Sequence, residues 1–123
     1  LEFARLSGVQ VDSRDAQVAA ARRLAKEHKI VVLLKGQHTF ITSGSEEAVN
    51  LTGNPGMATG GTGDVLTGVI TAVVCQGLSP FDAAVLGAHV HGLAGDLAAN
   101  ELGQVSLIAS DLVRFLPRAF LQL

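Results

Sequence analysis

Glycine is concentrated in one part of this chain, and that concentration restricts the fold more than any other feature. Of 14 glycines in 123 residues, seven lie between Gly53 and Gly77, in a chain with no Trp and no Tyr. Residues without a Cβ are used where the backbone turns sharply or must come close to another backbone or a ligand. The stretch reads GNPGMATGGTGDVLTG, Gly53 to Gly68. Pro55-Gly56 suits the two central positions of a type II turn. From Asp64 onward the apolar pairs Val65/Leu66, Val69/Ile70 and Val73/Val74 recur every four residues, so the loop runs into a helix that ends near Gly77.

The flanking segments place this loop in an α/β fold. Residues 14 to 28 carry Val18, Ala21, Leu24, Ala25 and His28 on one side and charges on the other, which predicts an amphipathic surface helix. The β-branched run Ile30–Leu34 reads as a strand buried on both faces of a parallel sheet. Residues 38 to 43 and 47 to 52 read as two more strands joined by a hairpin-like turn at Ser43-Gly44-Ser45-Glu46, which makes the sheet mixed. Pro80 opens a second helix that is small or apolar nearly all round and therefore buried. Within it Gly87, Gly92 and Gly95 require close neighbours. Ser110 is placed to cap a last helix that Pro117 ends or kinks.

Composition bounds the function. With 48% hydrophobic residues and a mean hydropathy of +0.39, the chain has material for a globular core. A net charge of -2 and a pI near 6.0 offer no basic stripe for nucleic acid. No apolar run reaches the ~20 residues of a membrane span, so no membrane is expected as a partner. The lone Cys75 allows no intrachain disulfide and no multi-cysteine zinc site, and is expected as a small core residue in a cytoplasmic protein.

The loop and its aspartate carry the chemistry. The first amides of a helix lack intrahelical acceptors and sit at the positive end of its dipole, an anion site in which each favourable interaction is worth ~0.3–1 kcal/mol. Such a site binds phosphate without a lysine cluster. Neither common phosphate loop fits: no lysine follows Gly63 or Gly68 as in a Walker A loop, and Leu66 stands where a dinucleotide fingerprint has its third glycine. Asp64 is then anomalous, since its carboxylate would repel an incoming phosphate. Either it caps the helix, as Asp commonly does in a first turn, or it meets a substrate hydroxyl. A carboxylate is a weak base, but phosphoryl transfer through a largely dissociative transition state asks it only to orient the hydroxyl and accept its proton late. His89 and His91 diverge by about 200° on a helix and share no metal. His91 either lines the site or packs beside the glycines, and packing is the expectation. Lys35 ends a strand, the usual place of ligand groups in α/β folds, or is a solvated strand-end lysine. Asp96 is expected to cap or to pair with an arginine.

GNPGMATGGTGDVLTG, together with KGQHT (Lys35 to Thr39), HVHGLAGDLAA (His89 to Ala99) and EFARLSG (Glu2 to Gly8), resembles the ADP/ATP-dependent NAD(P)H-hydrate dehydratases of the ribokinase-like superfamily. The resemblance implies a ribokinase-like fold, a mixed, mostly parallel sheet flanked by helices, present as a partial domain. Residues 1–123 would be the C-terminal nucleotide-binding and catalytic portion of that domain. It implies a lyase acting in metabolite repair: ADP or ATP phosphorylates the hydroxyl of hydrated NADH or NADPH, and phosphate leaves to restore the nicotinamide double bond. Lys35, Gly36, Gln37, His38, Thr39 and Gly63 would contact the nucleotide; Asn54, Gly60, Gly61 and Thr62 would form the anion hole and loop. Asp64 would contact the substrate and act as base. Mg2+ would accompany the nucleotide, with no metal site made by the protein itself, and a homo-oligomer is left open. In the family a His-Pro-Gly sequence precedes EFARLSG, whereas position 1 here is Leu. The isolated chain is therefore expected to have little activity. The alternatives are a small-alcohol kinase of the hydroxymethylpyrimidine or hydroxyethylthiazole type, and an inactive nucleotide-binding module.

Overall fold

The computed structural model describes residues 2–8 and 13–123. Along the chain run α1 (Glu2–Ser7), α2 (Arg14–His28), β1 (Val32–Leu34), β2 (Phe40–Thr42), β3 (Glu47–Val49), a 3-10 turn (Pro55–Met57), α3 (Thr62–Cys75), α4 (Pro80–Leu102) and α5 (Ala109–Phe120). They form two compact units, Leu1–Asn50 and Leu51–Leu123. No helix among the described residues is long and apolar enough to cross a membrane.

In the first unit the amphipathic helix has the expected bounds. Ser13 caps α2 by accepting from the Ala16 amide at 3.2 Å, and Lys29 ends it with a left-handed φ of 53°. Ala21 and Ala25 pack with Val32, Leu34 and Phe40, and Val18 and Leu24 cover the edge of that cluster. His28, expected on the apolar side, is exposed. The strands pair in the order β1-β2-β3, with Val32 opposite Thr42 and Phe40 opposite Val49.

The expectation of a mixed, mostly parallel sheet, with Ile30–Leu34 in a parallel part, is corrected here: both pairings among the described residues are antiparallel. The connections explain it. A parallel pair needs a crossover of a dozen or more residues, and only residues 35–39 and 43–46 link these strands. The predicted hairpin stands, closed by the Ser43 amide on the Glu46 carbonyl at 3.0 Å. Its Gly44 has a φ of 89°, and a Cβ there would lie 2.9 Å from the Lys26 backbone, so the turn rests directly on α2. Arg22 and Glu47 join α2 to β3 through paired guanidinium–carboxylate bonds. Each partner favours the other's charged form, raising the arginine pKa and lowering the carboxyl's.

The second unit is built around α4. Ser79 caps it by accepting from the Asp82 amide at 3.1 Å, Pro80 occupies its first turn, and Gly103 ends it with a φ of 80°. Val90, Ala94 and Ala98 form the core with Leu107, Phe115 and Ala119. Small residues let α3 approach closely: a Cβ on Gly87 would fall 2.6 Å from Ile70.

Three local expectations fail, those at Gly56, Ser110 and Cys75. Gly56 does not take the positive φ of a type II turn; Pro55–Met57 is a 3-10 turn, and glycine is needed because a Cβ would meet the Gln104 carbonyl at 2.6 Å. Ser110 lies inside α5, whose start is fixed by the Asp111 carboxylate accepting from the Ile108 amide at 3.1 Å. Pro117 neither starts nor stops the helix, which continues one turn to Phe120. Cys75, the last residue of α3, is exposed rather than in the core.

Candidate functional site

The glycine loop of the second unit begins at α4 and ends at the first turn of α3. The Asp96 carboxylate accepts from the Gly53 amide and from the Asn54 carboxamide nitrogen, each at 2.9 Å. Asp96 was expected to cap or to pair with an arginine; it holds a loop instead. The Asn54 side-chain oxygen in turn accepts from the Gly56 amide at 3.0 Å. Both ends of this side chain thus serve the loop's own framework. Further on, the Thr62 hydroxyl lies 3.0 Å from the carbonyls of Met57 and of Thr59, which closes the loop on itself.

Two glycines of α4 make the seat beneath it. A Cβ on Gly92 would lie 2.2 Å from the Thr52 hydroxyl and 2.7 Å from its backbone, and one on Gly95 would lie 2.2 Å from the Met57 sulfur. Thr52 also donates its hydroxyl to the His89 carbonyl at 2.9 Å. His91 is buried, at 8% exposure, with Nε2 2.9 Å from the Thr62 carbonyl. Burial lowers its pKa against the opposing pull of that hydrogen bond, so the neutral ring, with its proton on Nε2, can donate to the carbonyl. The expectation of packing beside the glycines holds, with a polar contact added.

At the helix start Gly61 takes a left-handed φ of 88°, and its carbonyl accepts from the Asp64 and Val65 amides. The amides of Thr62 and Gly63 come before these and have no intrahelical acceptor by construction. Gly60 is exposed, and a Cβ there would meet nothing within 4 Å, so the approach to this turn is open.

Asp64 separates from the other acids of the unit at this point. Three helices here carry Asp in the first turn. Asp82 accepts from the Ser79 hydroxyl at 2.7 Å, and Asp111 from the Ile108 amide. Asp64 is exposed, and among the described residues its carboxylate takes no hydrogen bond or ion pair. Asp111 thus caps its helix and Asp82 is tied to the cap residue Ser79, whereas Asp64 does neither.

The other predicted residues belong to the first unit. Lys35, Gly36, Gln37 and His38 are exposed and Thr39 is half-buried, in the connection from β1 to β2. Gly36 and His38 have φ of 145° and 56°, the latter in a region His enters more readily than most residues. One residue that the sequence did not single out organises the segment. The Arg14 guanidinium donates to the carbonyls of Leu34, Lys35 and His38 at 3.3, 3.2 and 3.1 Å. Nothing in the sequence flags it, since its partners lie 20 to 24 positions away. The Thr39 hydroxyl adds a bond to the Gly36 carbonyl at 3.3 Å.

Comparisons with known proteins agree on one family. The family model described as NAD(P)H-hydrate dehydratase matches residues 1–118. The chain is 48% identical over 118 residues to the bifunctional NAD(P)H-hydrate repair enzyme Nnr of Moorella thermoacetica, covering 94% of itself and 22% of that protein. It is 38% identical over 117 residues to the ADP-dependent (S)-NAD(P)H-hydrate dehydratase of Cenarchaeum symbiosum, covering 94% of itself and 40% of the relative. Among solved structures it is similar to the ADP/ATP-dependent NAD(P)H-hydrate dehydratase of Bacillus subtilis co-crystallized with ATP/Mg2+. That match has a TM-score of 0.90 at 33% identity, over 98% of this chain and 44% of the other. A ribokinase-like superfamily protein of Enterococcus faecalis matches with a TM-score of 0.77 at 32% identity, over 97% of this chain and 41% of the other. The chain thus spans less than half of each of these relatives.

Proposed function

The chain belongs to the NAD(P)H-hydrate dehydratase family, with a ribokinase-like fold, and on that premise we propose that it is the C-terminal nucleotide-binding and catalytic portion of an enzyme that dehydrates hydrated NADH or NADPH at the expense of ADP or ATP. The observation that carries the reading is the contrast among first-turn aspartates. Asp111 caps its helix and Asp82 is engaged by the Ser79 hydroxyl, whereas Asp64 stands exposed and unengaged beside the first amides of its own helix, which have no intrahelical acceptor.

In this reading the amides of Thr62 and Gly63, with Gly60 and Gly61 clearing the approach, hold the nucleotide's terminal phosphates. Asn54 frames that loop. Lys35, Gly36, Gln37, His38 and Thr39 contact the nucleotide. The Asp64 carboxylate orients the hydroxyl of the hydrated nicotinamide ring and takes its proton as the oxygen attacks the terminal phosphorus, whose bond to the bridging oxygen breaks to release AMP from ADP or ADP from ATP. Phosphate, a far better leaving group than hydroxide, then departs with electrons supplied by the ring nitrogen, and loss of a proton from the neighbouring ring carbon restores the double bond. Mg2+ accompanies the nucleotide and offsets phosphate charge. Among the described residues no group of three His, Cys, Asp or Glu could hold a metal. A cytoplasmic setting accords with the lone thiol.

The test is Asp64→Asn in the intact protein. Turnover, followed as regenerated reduced-nicotinamide absorbance, should fall by about 10²–10⁴, the usual worth of general-base help, while ADP affinity stays within a few fold. Retained turnover removes Asp64 from the mechanism. Accumulation of a stable phosphate ester by the unaltered protein would assign it to small-alcohol kinase chemistry instead.

A further inference from the structure

We infer that Asp96 and His91, neither of which is placed in the catalytic machinery above, are positioning residues for the phosphate cradle: from α4 they fix the two ends of the loop whose last residues supply its amides. The inference rests on the nucleotide reading just given.

Four contacts define the arrangement. At the loop's start the Asp96 carboxylate takes both the Gly53 amide and the Asn54 side chain at 2.9 Å. At its end His91 Nε2 lies 2.9 Å from the carbonyl of Thr62, the first residue of α3. Just before the span the backbone of Thr52 lies where Gly92 has no Cβ, and within the span the side chain of Met57 lies where Gly95 has none. The span from Gly53 to Thr62 therefore has both ends tied to one helix and its middle seated on it.

Neither polar group serves the hydrophobic core. The α4 residues that do, Val90, Ala94 and Ala98, are fully buried apolar residues. A carboxylate on a backbone amide is among the stronger hydrogen bonds, and geometric control of that kind is what an anion site made of main-chain groups needs. The Thr62 carbonyl belongs to the same turn as the Thr62 and Gly63 amides, so a ring that fixes this carbonyl fixes the direction of the donors. The expected consequence is selective. Loss of either residue should weaken nucleotide capture and leave recognition of the hydrated ring nearly intact.

The experiment uses the intact protein with ADP and Mg2+ as probe. Asp96→Ala and His91→Leu are compared with the gentler Asp96→Asn and His91→Gln; Gln can again present an N–H to the Thr62 carbonyl. The KM for ADP should rise at least about tenfold in Asp96→Ala and His91→Leu, the worth of one charge-assisted or buried hydrogen bond. The KM for the hydrated nucleotide should move less than about twofold, and His91→Gln should recover most of the ADP loss. Amide exchange across residues 59–65 should quicken in the same variants. Asp96→Asn keeps the test usable if the alanine variant does not fold. Folded variants with an unchanged KM for ADP, or equal rises in both KM values, overturn the inference while the function stands. An unaltered protein that binds neither ADP nor ATP overturns the function and the inference together.

Discussion

Two loops of this molecule, the segment after β1 and the glycine loop before α3, are held by opposite means. The segment after β1 is gathered by one long cation, Arg14, reaching three carbonyls from outside. The glycine loop before α3 is held by what α4 lacks, side chains at Gly92 and Gly95, and by two short polar groups beneath it. The first arrangement is modular: a hydrogen-bonding fork can be removed and the strands beside it remain packed. The second is not, because loop and helix share one contact surface in a close-packed interior.

The largest effect should come from breaking the seat. Gly92→Ala puts a Cβ 2.7 Å from the Thr52 backbone, which cannot rotate away. Even after the helix-propensity gain of about 1 kcal/mol, a loss of roughly 2–3 kcal/mol in chemical denaturation is expected. Gly95→Ala sharpens the point. Its Cβ would meet only the Met57 side chain, which can move, so strain and propensity should cancel to within about 1 kcal/mol. Equal losses at the two positions would show that backbone contact is not what makes the seat unforgiving.

Next in size is Arg14→Ala. Its bonds are 3.1–3.3 Å long and partly exposed, so about 1 kcal/mol of stability is expected to be lost, with faster amide exchange confined to residues 35–39. Arg14→Lys should restore little, because an ammonium is not a planar fork able to span three acceptors. Exchange that also quickened across 53–64 would break the distinction between a modular loop and a seated one.

The same contrast explains what the sequence disclosed. Helical periodicity located α2 with its observed bounds, Pro80 marked the start of α4, and the spacing of turn residues located the hairpin at Ser43–Glu46. The glycines of α4 announced close packing, although not what lay on them. The failures at the sheet, at Gly56, at Arg14 and at Asp96 involve distant partners. Sheet direction depends on which strand comes alongside, and the run Ile30–Leu34 reads the same in either case. Pro55-Gly56 favours a type II turn until Gln104 claims the space above Gly56. Arg14 and Asp96 look like ordinary helix-surface charges because their acceptors and donors lie 20 or more positions off. Asp64 was legible as anomalous from its neighbours alone; that it differs from Asp82 and Asp111 required their side chains to be placed.

The smallest effect concerns protons and should also divide the two loops. Burial lowers the pKa of His91 in the fold below its ordinary value of 6.5, while in the unfolded chain the ring is solvated. Between the lowered value and 6.5 the unfolded state binds more protons, so its share rises as pH falls. The contribution of a neutral His91 is therefore complete above about pH 6.5 and is lost on acidification through that window. His91→Gln carries no such group. Comparing the two proteins by denaturation at about pH 7.5 and about pH 5.5, the unaltered chain should lose more stability than the glutamine variant. Acid should quicken exchange at residues 59–65 more than at 35–39, where Arg14 keeps its charge throughout. Parallel stability curves for the two proteins would mean that the ring is not held neutral against the Thr62 carbonyl, and the seat beneath the glycine loop would then owe its hold to shape alone.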